Sequence, residues 1–283
     1  MKPLQLGDME IQRVEEFIWP IGYDLLFPHL SEADFARHRD WLVPRFTTAD
    51  SRMLLSVHTF VIRTRHHTVL VDTCVGNEKE RERADFHRLH TDYLDRLGAA
   101  GVTPDQVDYV FCTHFHSDHV GWNMRLEKGR WVPTFPRARY LFHRPEFAHF
   151  MNLPDDEKPA AVLDSVVPIA EAGQAEVVDG DHSIGDGIYL EPTPGHTPGH
   201  CSVHLSSSAG EAVITGDLMH HPIQFAEPQW TTQVCSDPEQ AVQTRKAFIE
   251  KYADTDTLIL GTHFAPPTAC RIIRQGESYR PHF

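Results

Sequence analysis

Residues 107–119 read VDYVFCTHFHSDH and join a short apolar segment to a cluster of three histidines and one aspartate. The apolar part predicts a strand, and alternate residues of an extended chain point to the same side. His114 and His116 can therefore bind one metal ion. After the chain turns, Asp118 and His119 can bind a second. Imidazole and carboxylate groups suit zinc, whose catalytic sites use about three protein ligands and a water molecule.

Three further candidate ligands lie in segments of a similar kind. His196 lies in the turn TPGHTPGH at 193–200, Asp217 comes shortly after the apolar segment AVIT, and His263 comes shortly after the apolar segment LIL. Open α/β sheets place their sites at the carboxyl ends of strands. Each residue taken alone is equally consistent with loop polarity or packing. Together with the histidine cluster, they predict one shared metal centre.

In their order along the chain, these motifs resemble the metallo-β-lactamase superfamily. The series starts at Asp72 in the segment LVDT, passes through the cluster at 114–119 and ends at His263, so the resemblance spans roughly residues 53–265. It implies an α/β (α+β) chain folded as a four-layer αββα sandwich, with the metals at one edge of the paired sheets. We expect a single domain over residues 1–283.

The resemblance also assigns roles to the candidate ligands. It implies two zinc ions per chain, with manganese, cobalt or iron(II) as alternatives. The first ion would be held by His114, His116 and His196, and the second by Asp118, His119 and His263, with Asp217 bridging the two. Asp72 would orient a ligand histidine through a hydrogen bond. The alternative for Asp72 is an ordinary turn at the end of a strand.

Details of the motifs favour one branch of the superfamily. Residues 216–225, GDLMHHPIQF, are similar to methyl parathion hydrolase and its relatives, and the whole pattern resembles the N-acyl homoserine lactonase and organophosphate hydrolase branches. Flavodiiron proteins carry glutamate at the position of His116. Glyoxalase II adds a C-terminal helical domain, for which the segment after His263 is too short. Lactonases often carry tyrosine where this chain has His220, which weakens the transfer of lactonase chemistry.

We therefore expect a hydrolase that cleaves an ester or lactone bond of a small, fairly hydrophobic substrate with a hydroxide that bridges the metals. Either Asp118 or a metal-bound water is expected to return the proton, and His220 is expected to donate a hydrogen bond to the developing oxyanion. The alternatives for His220 are that it supports a metal ligand without touching the substrate, or that it simply packs beside His221. An organophosphate triester hydrolase would share every ligand, and a catalytically silent metal-binding protein is the alternative of another class. The lactonase branch implies quorum quenching as a role.

Composition and charge disfavour several other classes. The formal net charge is −14 and no long basic run is present, so nucleic-acid binding is not expected. No segment reaches the ~18 apolar residues of a membrane span. The N-terminus shows no signal peptide, so a cytoplasmic protein is expected. The five cysteines are odd in number and widely spaced, which indicates scattered buried thiols rather than disulfides.

The remaining sequence predicts alternating strands and helices. Residues 19–50 are aromatic and proline-rich, which is typical of a lid over a binding site or of an arm that contacts a homodimer partner. Residues 78–98 have the composition of a helix, and the capping signature Ser236–Glu239 predicts a helix through about Tyr252. Strands are expected at 8–18, 53–63, 68–73, 107–112, 138–142, 188–191, 201–205, 212–215 and 257–260.

Some residues outside the motifs have two interpretations. Trp122, Phe225 and Trp230, together with the aromatic residues of 17–46, are candidates for an apolar pocket wall, although core packing is favoured for each. His200 and His204 follow the His196 turn and are expected to pack there without binding metal.

Overall fold

The computed structural model of the chain describes residues 3–283. Strands β6 and β7 pair with each other, and the other strands of the first half form one sheet in the order β1-β2-β3-β4-β5-β8-β9. Within it, β4, β5, β8 and β9 run parallel, so their carboxyl ends lie at the same edge. The strands are β1 (Leu4–Leu6), β2 (Met9–Gly22), β3 (Arg52–Arg63), β4 (Thr68–Val71), β5 (Tyr109–Cys112), β6 (Met124–Glu127), β7 (Arg130–Pro133), β8 (Arg139–His143) and β9 (Ala175–Val178).

The second half of the chain forms another sheet, in the order β10-β11-β12-β13-β14-β15-β16. Strands β13 and β14 are parallel neighbours, so the segments that follow them emerge side by side. These segments carry Asp217 and His263. The strands are β10 (Ser183–Gly185), β11 (Ile188–Pro192), β12 (Cys201–Ser207), β13 (Gly210–Ile214), β14 (Leu258–Leu260), β15 (Ala269–Gln275) and β16 (Ser278–His282).

The two sheets pack face to face through alternate apolar side chains. On β3, Phe60 and Ile62 belong to the inner core, together with Val203 and Leu205 of β12. Val61, the residue between the first two, belongs to a different core on the outer face of the first sheet. This alternation is the two-residue period of a strand, and it gives each sheet two buried faces.

Helices cover those outer faces. On the first sheet, Leu97 of α4 and Val162 of α7 pack against its outer core. On the second sheet, Phe248 of α10 packs with Val213 and Ile259. The predicted four-layer αββα sandwich is therefore confirmed. The helices are α1 (Tyr23–Leu26), α2 (Glu32–Ala36), α3 (Arg39–Leu42), α4 (Tyr93–Ala99), α5 (Ser117–Val120), α6 (Arg144–Met151), α7 (Ala160–Ser165), α8 (Val167–Glu171), α9 (Ile223–Ala226) and α10 (Pro238–Tyr252).

Residues 19–50 contain more regular structure than their composition suggests. Strand β2 continues to Gly22 alongside β3, and the short helices α1, α2 and α3 follow. Phe27, Phe35 and Phe46 are buried in an apolar cluster of their own. These three phenylalanines therefore form part of a small core, which holds the short helices in place.

The helix predicted over residues 78–98 is wrong for most of its length. Only Tyr93–Ala99 forms an α-helix, while a short 3₁₀ turn at Ala84–Phe86 interrupts otherwise irregular chain. In this segment, the Arg81 guanidinium donates a 2.6 Å hydrogen bond to the distant Asp164. Tertiary contacts of this kind outweigh intrinsic helix propensity, which is a weak preference even for good helix formers such as arginine.

The other predicted elements are present with shifted ends. Asp237 caps the helix α10, because its side chain accepts a hydrogen bond from the backbone N–H of Gln240 at 2.9 Å. The sequence analysis does not predict seven of the strands, namely β1, β6, β7, β9, β10, β15 and β16. All five cysteines are buried and unpaired, as expected. Across residues 3–283, none of the helices combines the length and the apolar character needed to cross a bilayer.

Candidate metal centre

One edge of the sandwich gathers all seven predicted metal ligands. They extend from segments that follow β5, β11, β13 and β14, so both sheets contribute. Helix α5 begins at Ser117 and turns the chain, which separates the cluster into two parts. The side chains form two groups that could each hold a metal ion, namely His114, His116, His196 and Asp217, and Asp118, His119 and His263.

Asp217 lies between these two groups. Its Oδ2 atom is 3.2 Å from Nε2 of His196 and 3.7 Å from Nε2 of His114. Its Oδ1 atom is 3.0 Å from Nε2 of His263 and 3.3 Å from Nε2 of His119. Each carboxylate oxygen thus faces a different group, which is the arrangement needed by a carboxylate that bridges two cations.

Hydrogen bonds on the far side of the rings fix which nitrogen faces the centre. Nδ1 of His119 donates to Oδ2 of Asp72 at 2.9 Å, and Nδ1 of His263 donates to the carbonyl oxygen of Ser56 at 3.0 Å. In the neutral form of these two rings, the Nε2 atoms therefore carry lone pairs, yet they lie only 3.2 Å apart. Two facing lone pairs repel unless a cation lies between them. The residues present therefore fit a metal ion.

Unpartnered atoms at the same place support this fit. Among residues 3–283, Oδ1 of Asp217 and Nε2 of His114 are buried and have no hydrogen-bond partner. Buried polar atoms in proteins are normally hydrogen-bonded, so such atoms require another partner. Nitrogen and oxygen donors in this number suit zinc.

Asp72 occupies the position that the sequence motif predicted for an orienting residue. Its backbone has φ 59°, a left-handed conformation that is uncommon for a residue other than glycine. Its Oδ1 atom accepts a hydrogen bond from the backbone N–H of Thr113 at 2.8 Å, next to the first histidine of the cluster. The strained turn after β4 therefore directs this carboxylate between the cluster loop and the ring of His119.

The electrostatics of the centre also favour bound cations. Burial lowers the pKa of His116 to about 3, which keeps its ring neutral and able to offer a lone pair. Although burial alone would raise the pKa of Asp217, His119 and His263 hold it well below its usual range. Burial opposes the charged form of His119, but Asp217 and Asp72 raise its pKa well above the usual value. The buried carboxylates thus require positive charge, which metal ions can supply.

His220 is in direct contact with the candidate metal ligands. Its Nε2 atom is 3.3 Å from Oδ2 of Asp217, and its ring is stacked parallel to that of His263 with 6.1 Å between centroids. Burial lowers the pKa of His220 to about 4, so the ring is neutral near pH 7. Its neighbour His221 points away and donates from Nε2 to the carbonyl oxygen of Phe46 at 2.9 Å.

A cavity of about 610 Å³ opens onto the centre. His116, Asp118, Asp217, His220 and His263 lie at its base. The wall combines apolar and charged side chains. The apolar ones include Trp19, Ile21, Leu25, Leu26, Leu55, Phe86 and Val234, and the charged ones are Arg81, Glu82, Arg83, Asp156, Glu157 and Lys158.

Three of the aromatic residues considered for this wall lie elsewhere. Trp122 stacks on Tyr93 in the core, with 5.2 Å between centroids, and Phe225 is fully buried against Phe264. Trp230 packs on Phe27. Core packing, the favoured alternative, therefore describes them. Trp19, one of the aromatic residues of 17–46, does line the cavity, as predicted. Phe86 also lines it but was not predicted, because nothing in the local sequence distinguishes a cavity-lining aromatic residue from a core one.

Two further residues support the centre. His200 accepts a hydrogen bond from the backbone N–H of Asp217 at its Nε2 atom, over 2.8 Å, and so fixes the bridging residue. Cys235 lies with its Sγ atom 3.5 Å from Nδ1 of His196. The repeated TPGH motif is a sequence signal for His200, whereas no local signal marks Cys235.

Comparison with known proteins agrees with this description. The family model of the Metallo-beta-lactamase superfamily matches residues 52–263. The N-acyl homoserine lactonase of Bacillus thuringiensis is 22% identical over 232 residues, which cover 77% of this chain and 85% of that protein.

Two solved structures are similar over almost the whole chain. The hydrolase AbOPH of the beta lactamase superfamily gives a TM-score of 0.82 at 22% identity and covers 99% of this chain and 97% of its own. AidC, a dizinc quorum-quenching lactonase, gives 0.81 at 20% identity, with coverages of 99% and 96%. At these low sequence identities, the structural similarity establishes the fold alone.

The sandwich, and the histidines and aspartates that converge at its edge, define a metal-dependent hydrolase. The chain belongs to the metallo-beta-lactamase superfamily, because the family model spans most of its length.

Proposed function

We propose that the protein is a dinuclear zinc hydrolase that opens a lactone or cleaves an ester of a small, fairly hydrophobic substrate. The observation that carries this proposal is the position of Asp217. Each of its carboxylate oxygens faces one ligand group, and the residue lines a cavity whose wall is partly apolar. The reactive end of a substrate would lie at the two groups, and its apolar part against the wall.

The chemistry follows from the ligand set. When bound, two zinc ions would supply an acidified water as nucleophile and a Lewis acid for the substrate oxygen. His220 donates a ring N–H to the oxyanion that develops on the substrate, a role suited to a buried, preorganised donor. Asp118, which lies at the base of the cavity, accepts the proton of the attacking water and returns it to the leaving oxygen.

Residues 19–50 have the role of a lid in this proposal. Trp19, Ile21, Leu25 and Leu26 line the cavity. Leu25 is 67% exposed, which leaves apolar surface for an acyl chain or another apolar group to cover. The alternative, an arm that contacts a second chain, would cover the same leucine in a homodimer.

An N-acyl homoserine lactone combines a lactone ring with an apolar chain and is the first substrate to test. The named activities of the Bacillus thuringiensis relative and of AidC support this choice. Its hydrolysis would make the protein a quorum-quenching enzyme. An organophosphate triester is the second candidate, because the segment around His220 is similar to methyl parathion hydrolase.

The test is a substrate panel measured on zinc-loaded protein. It contains N-acyl homoserine lactones with short and long acyl chains, aryl esters and a phosphotriester, with the Asp217→Ala variant as the matched control. We expect the highest kcat/KM on lactones or esters, and a higher value for long chains than for short ones. Preference for the triester would select the second candidate. If protein that holds two zinc ions hydrolyses none of these substrate classes, the remaining alternative is a catalytically silent metal-binding protein.

A further inference from the structure

Glu146 is a buried carboxylate that joins two ligand-bearing loops. It lies on α6 and its side chain is fully buried. Its Oε1 atom accepts a hydrogen bond from the backbone N–H of Phe115 at 3.0 Å, and its Oε2 atom accepts one from the backbone N–H of Gly199 at 2.9 Å. Within residues 3–283 it takes part in no salt bridge. Burial raises the pKa of Glu146 to about 7, and the two backbone donors offset only part of that rise.

The two loops belong to different sheets. Phe115 lies between His114 and His116 in the loop that follows β5 of the first sheet. Gly199 lies three residues after His196, in the turn between β11 and β12 of the second sheet. All three histidines belong to the first ligand group. One carboxylate therefore links the parts of this group that come from opposite sheets.

The turn is built to approach Glu146 closely. A Cβ atom at Gly199 would lie 2.0 Å from the backbone nitrogen of Glu146, so only glycine fits there. His143, which ends β8, donates from Nδ1 to the carbonyl oxygen of the same glycine at 2.7 Å. The N–H and the C=O of Gly199 thus both form hydrogen bonds with residues within α6 or next to it.

The second ligand group has its own connection between the sheets. The backbone N–H of Ser56 in β3 donates to the carbonyl oxygen of His263 at 2.9 Å, and Nδ1 of His263 donates back to the carbonyl oxygen of Ser56 at 3.0 Å. This connection does not involve Glu146. A change at Glu146 should therefore affect the two groups unequally.

We propose that Glu146 is a positioning residue that holds His196 in register with His114 and His116, and so sets the metal affinity of the first group alone. This inference rests on the proposed pair of metal sites. In Glu146→Gln the amide has the same size, but it keeps one acceptor oxygen and places an N–H₂ group opposite a backbone N–H. One of the two loops must then lose its hydrogen bond. The fold should persist, because a second hydrogen bond connects the two sheets at the same edge. The backbone N–H of Cys201 donates to the carbonyl oxygen of Thr113 at 3.0 Å.

The test is titration of the metal-free full chain with cobalt(II), followed by visible absorption. The bands of the two sites are assigned with His116→Ala, which removes a ligand of the first group, and His263→Ala, which removes one of the second. The matched control is Glu16→Gln. Glu16 is a carboxylate of similar burial that accepts hydrogen bonds from the backbone N–H of Val75 at 2.8 Å and the indole N–H of Trp122 at 2.7 Å.

We expect Glu146→Gln to weaken the first site by about tenfold or more, and the second site by less than about twofold. Glu16→Gln should not weaken the first site selectively. The inference would be overturned if Glu146→Gln weakened both sites equally or weakened neither. It would also be overturned if Glu16→Gln showed the same asymmetry between the two sites. If circular dichroism shows that Glu146→Gln is unfolded, Glu146→Asp, which keeps the charge but is one methylene shorter, must show the asymmetry instead. Wild-type protein that binds fewer than two cobalt ions would overturn the proposed function as well, so the two failures are distinguishable.

Discussion

His220 offers the sharpest test of the proposed chemistry. The ring is 4% exposed and lines the cavity, and its Nε2 atom lies 3.3 Å from the carboxylate that faces both ligand groups. Neither ring nitrogen forms a hydrogen bond of good geometry within residues 3–283, so a neutral ring has an N–H free for the substrate. A preorganised donor to an oxyanion contributes about 2.7–4 kcal/mol to transition-state stabilisation. His220→Ala should therefore lower kcat by on the order of 10²–10³-fold while the metal content stays unchanged.

The assay is steady-state kinetics on the best substrate of the panel, with zinc measured in the same samples. His221→Ala is the matched control. His221 is equally buried but holds the carbonyl oxygen of Phe46, so its loss should lower thermal stability and leave kcat within about threefold. His220→Tyr should retain more lactonase activity than His220→Ala, because a phenol can also donate a hydrogen bond. A fully metallated His220→Ala enzyme with wild-type kcat would refute the role. Loss of metal in that variant would place His220 among the ligands.

The remaining predictions concern the ligand groups and the lid. Asp217→Ala should weaken both metal sites, because the carboxylate oxygens of Asp217 face both groups, whereas His263→Ala should mainly weaken one site. Competitive chelation measures the metal affinity of both variants. An Asp217→Ala protein that keeps two tightly bound ions would exclude a bridging role. Leu25→Ser should raise KM for long-chain substrates by about threefold to tenfold and leave short-chain substrates unchanged, because it removes part of an apolar wall that only the longer chains reach. The exposed Leu163 lies outside this cavity, so Leu163→Ser is the control, and equal effects on both chain lengths would argue against a lid.

Much of the site could be predicted because its residues follow apolar strands directly. His114 and His116 come after β5, and His263 comes after β14, so local hydrophobic patterns place them at strand ends. The parallel pairing of β13 with β14 then brings Asp217 and His263 together, which the family resemblance implied but spacing alone could not.

The features that could not be predicted depend on contacts between distant parts of the chain. The segment 78–98 has helical composition, but Arg81 bonds to Asp164 and the helix forms only from Tyr93 onward. Glu146 lies in a helix whose sequence has no unusual feature, and its role becomes visible only when Phe115 and Gly199 are brought to its carboxylate. Such buried polar contacts leave no periodic signal in a sequence.

The central claim is that seven side chains at one sheet edge hold two zinc ions. Its most direct test is elemental analysis of the full chain, purified without added metal and again after reconstitution with zinc. The geometry of the two groups around Asp217 predicts close to two zinc ions per chain, both lost on extended chelation and both restored by zinc. A stoichiometry near zero that zinc, manganese and cobalt all fail to restore would contradict the account.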